Sequence, residues 1–489
     1  MKRIFSLVIF FTCFVTIQAQ YVGDALRYSQ NFPTLSARSL GMGGAFTSLG
    51  GDYSSSYINP AGLAMYRKSE FVISPGLQLA NNNADYLGES NKDYRYQFNF
   101  SNLGYVGTWL SKRDKGLVSA SYSIGYNRLN NYHNNLYIGG VNNNSSYSDY
   151  FVEYASVNEI DPIDLDDYYE RLLYDAWIID YDGSSSYYSL VPVPVEQQRT
   201  IRTKGGAGEW SFAFGLNFSD RIYWGMGLGI DQFDYRSVNT HREINHGSGP
   251  FKSFDFTEEL NVEGVGFTMN TGIIARLGKF VRIGTSIHLP TYYRITEDYF
   301  NTAFSDFGDS TFYKEPTDDN GNYLGSSQFR YRLRTPFQWN SGVSFMLGTK
   351  GIISADVNYI NYSRMQMKTH PDFDNVFDRQ TAEFTNEDIE MVYRPVVNLK
   401  LGGEVRLMEH FSLRLGGGYY PSVYASDELN EAARHFELNS GVGYRSNSFF
   451  VDFAFSGLFH TEKYNLYFDN ISDIKANKYR FVASMGVRF

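Results

Sequence analysis

The sequence predicts an all-β fold, a transmembrane antiparallel β-barrel of about fourteen strands preceded by a non-alternating N-terminal segment. Three observations predict it. Apolar and polar residues alternate with period two along many segments. The 489 residues include 40 Tyr, 39 Phe and 5 Trp, 17% aromatic, the composition of a barrel wall with interfacial girdles. No run beyond the first segment approaches the roughly 20 apolar residues of a membrane-spanning helix.

The first element is a leader. Lys2 and Arg3 precede an apolar stretch from Ile4 to Ile17, and Gln18 and Ala19 follow. A charged region, an apolar core and a small-residue cleavage site define a signal peptide over 1–19. Cys13, the one cysteine, lies inside it, so the remaining chain carries no disulfide, thiolate metal site or thiol catalysis.

Residues 20–68 do not alternate. The run from Ala37 to Gly51 mixes glycine and serine with spaced Leu40, Met42 and Phe46, and Asn59-Pro60-Ala61-Gly62 follows. Glycine permits positive φ and close backbone approach, while Pro60 fixes its own φ and restricts Asn59. Such a stretch suits a compact, turning insert of short helices, either inside a wide barrel or beside it.

Residues 69–489 make the barrel. Strands are expected near 70–79, 94–111, 116–131, 208–219, 221–236, 253–277 and 279–297, then 327–347, 351–362, 390–406, 410–421, 435–445, 448–460 and 477–489. The last is the clearest: Tyr479, Phe481, Ala483, Met485, Val487 and Phe489 share one parity, opposite Lys478, Arg480, Ser484, Gly486 and Arg488. Side chains two apart share a face, so one face meets lipid and the other a polar lumen. Tight turns are expected at Lys112 to Lys115, Ser219 to Asp220, Gly278, Gly348 to Lys350, Met408 to Glu409 and Ser446 to Asn447 on the periplasmic side. Long loops at 132–207, 298–326 and 363–389 face outward from the cell.

Net charge is -10, without the clustered Lys and Arg that phosphate contacts need, which excludes nucleic acid as a partner. The longest loop is acidic from Asp149 to Asp182, yet lacks calcium-loop spacing and is expected as a solvated surface. The eight histidines, His241 and His246 among them, are scattered without metal-ligand spacing, so no metal or cofactor is expected. No nucleophile-elbow pattern marks an enzyme.

The Gly41-Met42-Gly43-Gly44-Ala45-Phe46 run and the Asn59-Pro60-Ala61-Gly62-Leu63-Ala64 run, after a leader and before many alternating strands, resemble the FadL/TodX family of outer-membrane transporters for hydrophobic compounds. The resemblance implies a fourteen-stranded barrel in the bacterial outer membrane with residues 20–68 as its hatch, or plug, inside the lumen and Asn59, Pro60 and Ala61 as the hatch motif. It also implies passive uptake of hydrophobic compounds such as long-chain fatty acids, surroundings of outer-membrane lipid and lipopolysaccharide, and recognition of Phe489 by the barrel assembly machinery. An inward kink in the third strand, the family's lateral exit, is not placed by the sequence; Gly125 is the candidate.

Pocket candidates are Phe32, Leu35, Leu40, Met42 and Phe46 of the hatch. Arg282, Lys400 and Arg414, on the polar parity of their strands, are candidates to meet a carboxylate. The competing reading of these cations is pairing with Asp356, Glu404 and Asp452 inside a polar lumen. Two other functions stay open: a FadL-like barrel of a type IX protein secretion system, which shares the same two runs, and a haem-binding receptor.

Overall fold

The computed structural model describes residues 15–184, 186–370 and 376–489. In it the chain closes into a ring of fourteen antiparallel staves. The first four are β1 (Glu70–Tyr86), β2 (Glu89–Leu110), β3 (Leu117–Asn131, resumed at Asn134–Asn142) and β4 (Val195–Phe218). Next come β5 (Ile222–Ile244), β6 (Ser253–Leu277), β7 (Val281–His288 and Tyr292–Asp306), β8 (Ser327–Arg334 and Gln338–Met346) and β9 (Gly351–Asn361 and Gln366–Thr369). The ring ends with β10 (Pro395–Arg406), β11 (Phe411–Tyr420), β12 (His435–Arg445), β13 (Phe449–Asn465) and β14 (Ile471–Arg488). β1 pairs with both β2 and β14, which closes it.

Burial runs opposite to that of a water-soluble sandwich. Leu415 is 70% exposed on the outside while Asp452 is 1% exposed within. Outward Leu77, Leu401, Phe453 and Phe481 are exposed, and inward Ser74, Asn217, Glu404 and Ser484 are buried. An apolar outside around a polar inside is the arrangement that lipid stabilises, with the wall amides paired along the ladders around the ring. No described helix is long and apolar enough to cross a membrane.

The expected tight turns all fall at one rim. Ser219 and Asp220 take φ of 55° and 56°, as a two-residue hairpin turn requires. At that rim the carboxyl end is tied down: Phe489 N donates to Ser69 O at 3.0 Å and Ser69 N to Phe489 O at 3.1 Å.

The opposite rim differs from the expected strand limits. β1 continues to Tyr86 and turns at Leu87–Gly88 directly into β2, where a gap from 80 to 93 was expected. Residues 132–207 are not one loop, since β3 resumes at Asn134 and β4 starts at Val195. These extensions rise past the apolar band, where both faces meet polar surroundings and the alternation fades. Residues 390–392 belong to helix α6 (Val376–Val392) rather than to β10. β7 and β8 are each interrupted beside Pro290 and Pro336, which lack an N–H for the ladder; Thr291 N donates to Thr335 Oγ1 at 2.8 Å and bridges the interruption.

The amino-terminal segment lies within the ring. It comprises α1 (Val15–Ser29), α2 (Ala37–Gly41), α3 (Ser55–Ile58) and a 3-10 turn, Pro60–Met65. The expected leader, Cys13 included, falls mostly on residues 1–14, outside the described residues; from Val15 the chain is already α1. Ser36 caps α2 by accepting from Ser39 N at 3.1 Å. At the outer mouth, residues 143–194 fold into a cap with α4 (Ser148–Val157), α5 (Glu170–Asp175) and a two-stranded ribbon. Its apolar core merges with Tyr86, Ile138, Phe254, Phe256 and Ile474 of the wall.

Candidate functional site

The inner segment is fixed to the wall by short polar contacts, its ion-paired ones on β10 to β13. Arg38 of α2 donates through Nε and Nη2 to both Glu404 oxygens, at 3.0 and 3.3 Å. Arg414 donates to Glu404 Oε2 at 2.7 Å and to Asp452 Oδ1 at 2.6 Å. Thr47 N donates to Asp356 Oδ2 at 2.7 Å, and Ala37 N to Ser484 Oγ at 2.7 Å. Arg414 is therefore consumed by structure, as the pairing reading of its charge describes, and offers nothing to a guest. Met42 and Phe46, 0% and 1% exposed, pack with Leu49 between segment and wall rather than on open space. Arg282 contacts Met65 Sδ at 3.2 Å, also away from the cavity described below.

The Asn-Pro-Ala motif sits in a socket of wall glycines. Asn59 Nδ2 donates to Thr47 O at 2.7 Å and reaches Thr285 O of β7 at 3.3 Å, while Oδ1 accepts from Ala61 N at 3.1 Å. A Cβ on Gly272 would stand 2.2 Å from Asn59 Oδ1, and one on Gly225 2.3 Å from the Pro60 carbonyl carbon. The run at 41–44 uses the same device: Gly43 has φ of +65°, and a Cβ there would lie 2.6 Å from Gly417 N. Both motifs thus mark where the inner segment touches the wall backbone to backbone. The sequence signal for the sockets was glycine on the inward parity of several strands, unreadable until the strands were paired.

Between α2, the 30–35 turn and β7 to β12 lies a cavity of about 90 Å³. Phe32, Leu35 and Leu40 line it, as does Lys400. Opposite the apolar side chains runs an amide chain: Asn398 donates to Asn358 at 2.8 Å, Asn358 to Asn340 at 2.7 Å, and Asn340 to Ser286 at 3.2 Å. Lys400 makes no hydrogen bond or salt bridge among the described residues. Its Nζ faces Gly44, whose Cβ, if present, would be 3.6 Å away. One wall of the cavity is greasy, and the other carries amides, the Lys400 ammonium and the Glu437–Arg480 ion pair, 2.5 Å apart. Such a chamber suits an amphiphile.

The wall itself is broken on the far side. β2 pairs with β3 only from Asn102 to Leu110, against Asn127 to Ser119. The rest of β2, Glu89 to Phe100, pairs with β1 alone, and Ser101 falls at a register shift. The resumed part of β3 crosses to the inner face of β1, where Asn82 donates to Asn134 Oδ1 at 2.7 Å, while Asn91 of β2 donates to Gly139 O at 2.9 Å. The bend is at Leu129–His133, with a register shift between Arg128 and Asn130. Gly125, the sequence candidate, lies lower: a Cβ there would be 2.4 Å from Tyr53 Oη, so it serves contact with the inner segment. Tyr94, Tyr96, Phe98 and Phe100 project outward along the open edge of β2. Behind that edge, Gln78, Asn99, Ser101, Asn102, Asn127 and Asn131 carry buried side-chain polar atoms without a partner. An open strand edge at membrane depth is tolerated only where it is buried in protein or borders a water-filled cavity, and here residues 134–142 of β3 back it on the inner side, with Arg95 Nη1 donating to Asn135 Oδ1 at 3.2 Å.

At the mouth, the cap is latched by one carboxylate. Glu243 accepts from Ser146 Oγ at 2.5 Å, Tyr147 N at 2.7 Å and Gln197 Nε2 at 2.7 Å, with His241 Nε2 at 3.1 Å. His246 instead pairs with Glu196 at 2.6 Å on the exposed side, so the two histidines do not converge. Within the cap, burial pushes the Glu170 carboxyl up to about 7. No group of three or more His, Cys, Asp or Glu suited to a metal occurs among the described residues.

No protein-family profile and no curated protein matches this chain in sequence. Solved structures do match in fold. The Pseudomonas putida toluene transporter TodX superposes with a TM-score of 0.55 at 11% identity, over 94% of this chain and 99% of that one. A Pseudomonas aeruginosa FadL homologue gives 0.52 at 13% identity, over 94% and 99%. The Ralstonia pickettii toluene transporter TbuX gives 0.50 at 12%, over 93% and 98%. At such identities the likeness establishes the fold alone, along nearly the full length.

Proposed function

We propose, for a chain that carries the FadL/TodX-type outer-membrane barrel fold, that it is a passive channel taking hydrophobic and amphiphilic small molecules from outside the cell through the side of its wall. The observation that carries this reading is the break between β2 and β3, an open edge where a closed barrel would have none. The solved structures named above include two toluene transporters, which supports a hydrophobic cargo. Burial of apolar surface, about 25 cal/mol per Å², supplies the attraction, and no energy source is needed for movement down a gradient.

The cavity bears on the cargo. In this reading Lys400 would meet a carboxylate, and Phe32, Leu35 and Leu40, which line the same cavity, an apolar body. At about 90 Å³ it is smaller than the ~150 Å³ engineered cavity that admits benzene. A long-chain fatty acid therefore enters only if the 30–35 turn and α1 shift. Phe489 is proposed as the assembly-machinery signal, and outer-membrane lipid with lipopolysaccharide as the surroundings.

A second reading, a barrel serving protein secretion, is favoured by the cap, on which Val157, Ile163 and Trp177 are exposed. Mass spectrometry of molecules retained after mild extraction separates the two. Amphiphiles in the lumen and liposomes made permeable to them support import. Stable protein partners with neither of these would overturn it.

A further inference from the structure

Beside the central cavity a smaller space, about 20 Å³, separates the end of α1 from the wall of β4 to β8. That volume suits one water-sized guest. Glu209 of β4 and Asp231 of β5 line it and are direct cross-strand partners. Each is 4% exposed. Asp231 Oδ2 accepts from Tyr293 Oη at 3.1 Å and Thr291 Oγ1 at 3.3 Å, whereas Oδ1 has no partner. Neither carboxylate forms a salt bridge among the described residues. Like charges directly opposite on a sheet are destabilising, and a buried carboxylate pair is relieved by a shared proton or by a bound cation.

A second observation comes from a different part of the chain. Ser29, the last residue of α1, lines the same space, is 2% exposed, and its hydroxyl is without a partner. The donors around the space are thus two carboxylates and hydroxyl oxygens, with no thiolate. Hard cations take such sets. Magnesium demands near-ideal octahedral geometry, while calcium accepts irregular shells of about six to eight oxygens, which Asn31, Thr268, Thr335 and Gln338 of the same lining help to complete. A divalent ion also matches the two negative charges.

We propose that this space binds a single calcium ion through Glu209, Asp231 Oδ1 and Ser29 Oγ, tying the end of α1 to the wall beside the cargo cavity. The site depends on no particular cargo. Equilibrium dialysis of the intact, detergent-solubilised protein against radiolabelled calcium tests it, with excess magnesium present. The expected result is a single tight ion per chain and a higher melting temperature in calcium than in chelator. Glu209→Gln and Asp231→Asn should each weaken binding by about tenfold or more, and Ser29→Ala by a smaller factor. Asp164→Asn, in the acidic cap, should leave it unchanged. Absence of tight calcium, or loss of binding in the cap variant alone, overturns the proposal. If the carboxylate variants fail to fold, dialysis of the unaltered protein and of Ser29→Ala still decides.

Discussion

The barrel has two unlike sides. From β10 to β13 the inner segment is clamped: Arg38 and Arg414 share Glu404, Asp452 completes the chain, and Gly41 and Gly43 abut Gly441 and Gly417. From β1 to β3 the ladder is incomplete and the buried amides of Asn99, Asn102, Asn127 and Asn131 are not fully paired. The difference teaches which part is scaffold and which is passage. An ion-pair lattice rigidifies, while an interrupted ladder marks where a structure is specialised for something other than stability; buried polar atoms without hydrogen-bond partners occur on both sides, those of Asn439 and Asp452 Oδ2 among them.

The largest test breaks the clamp. Arg414→Ala leaves Glu404 and Asp452 buried with a missing partner and should cost about 3 to 5 kcal/mol, measured as a lower denaturant midpoint in detergent. A shift below ~1 kcal/mol would remove the contrast between the two sides.

Lys400 tests whether the clamped side also serves the cargo. Replacing it with methionine removes a charged donor that is otherwise unclaimed, worth roughly 1.5 to 3 kcal/mol in binding a carboxylate. Affinity for a labelled fatty acid should fall by about tenfold or more, while a neutral aromatic should bind as before. Equal affinity for the acid takes Lys400 out of the mechanism.

The cap closes over both sides, and its stability should depend on pH. Burial holds the Glu170 carboxyl at about 7, against an ordinary value of 4.5. The folded cap therefore keeps a proton that the opened cap gives up. This contribution is full below about 4.5 and is lost as pH rises through about 7. It amounts to roughly 1 to 3 kcal/mol. Hydrogen-exchange protection of α4 and α5, corrected for the intrinsic pH dependence of exchange, should fall over that window in the native protein and stay flat in Glu170→Gln.

The smallest effect is expected on the open side. Both side-chain polar atoms of Asn102 are buried without partners, so Asn102→Leu should alter stability by less than about 0.5 kcal/mol or increase it. Transport through the break should nevertheless change, read as the rate of labelled-lipid entry into liposomes. A loss comparable to that of Arg414→Ala would mean that the two sides are built alike.

How far the sequence could be read follows the same division. Wall strands were legible wherever lipid lay on one face: Phe481, Ala483, Met485 and Val487 announce β14 by parity alone. The upper parts of β1, β3 and β4 were not, because past the apolar band nothing enforces alternation. The break was hidden for a related reason. Asn127, Arg128 and Leu129 read as an ordinary continuation, and only the failure of Glu89 to Phe100 to find a second partner shows that β3 has left the wall. Among candidate residues, parity placed Lys400 and Arg414 inside but not their fates, which depend on whether Glu404 and Asp452 lie within reach on neighbouring strands.

By itself the sequence determined the class of fold and the surface that meets lipid, since local parity is fixed by a strand's two-residue repeat and by the solvent on each side. It also determined that glycine and proline would crowd two short runs near the beginning. Only the tertiary structure decided which wall glycines receive those runs, which cations are already paired, and where the ring stays open. Those are properties of pairing between residues hundreds of positions apart, and no local pattern encodes a distance across a lumen.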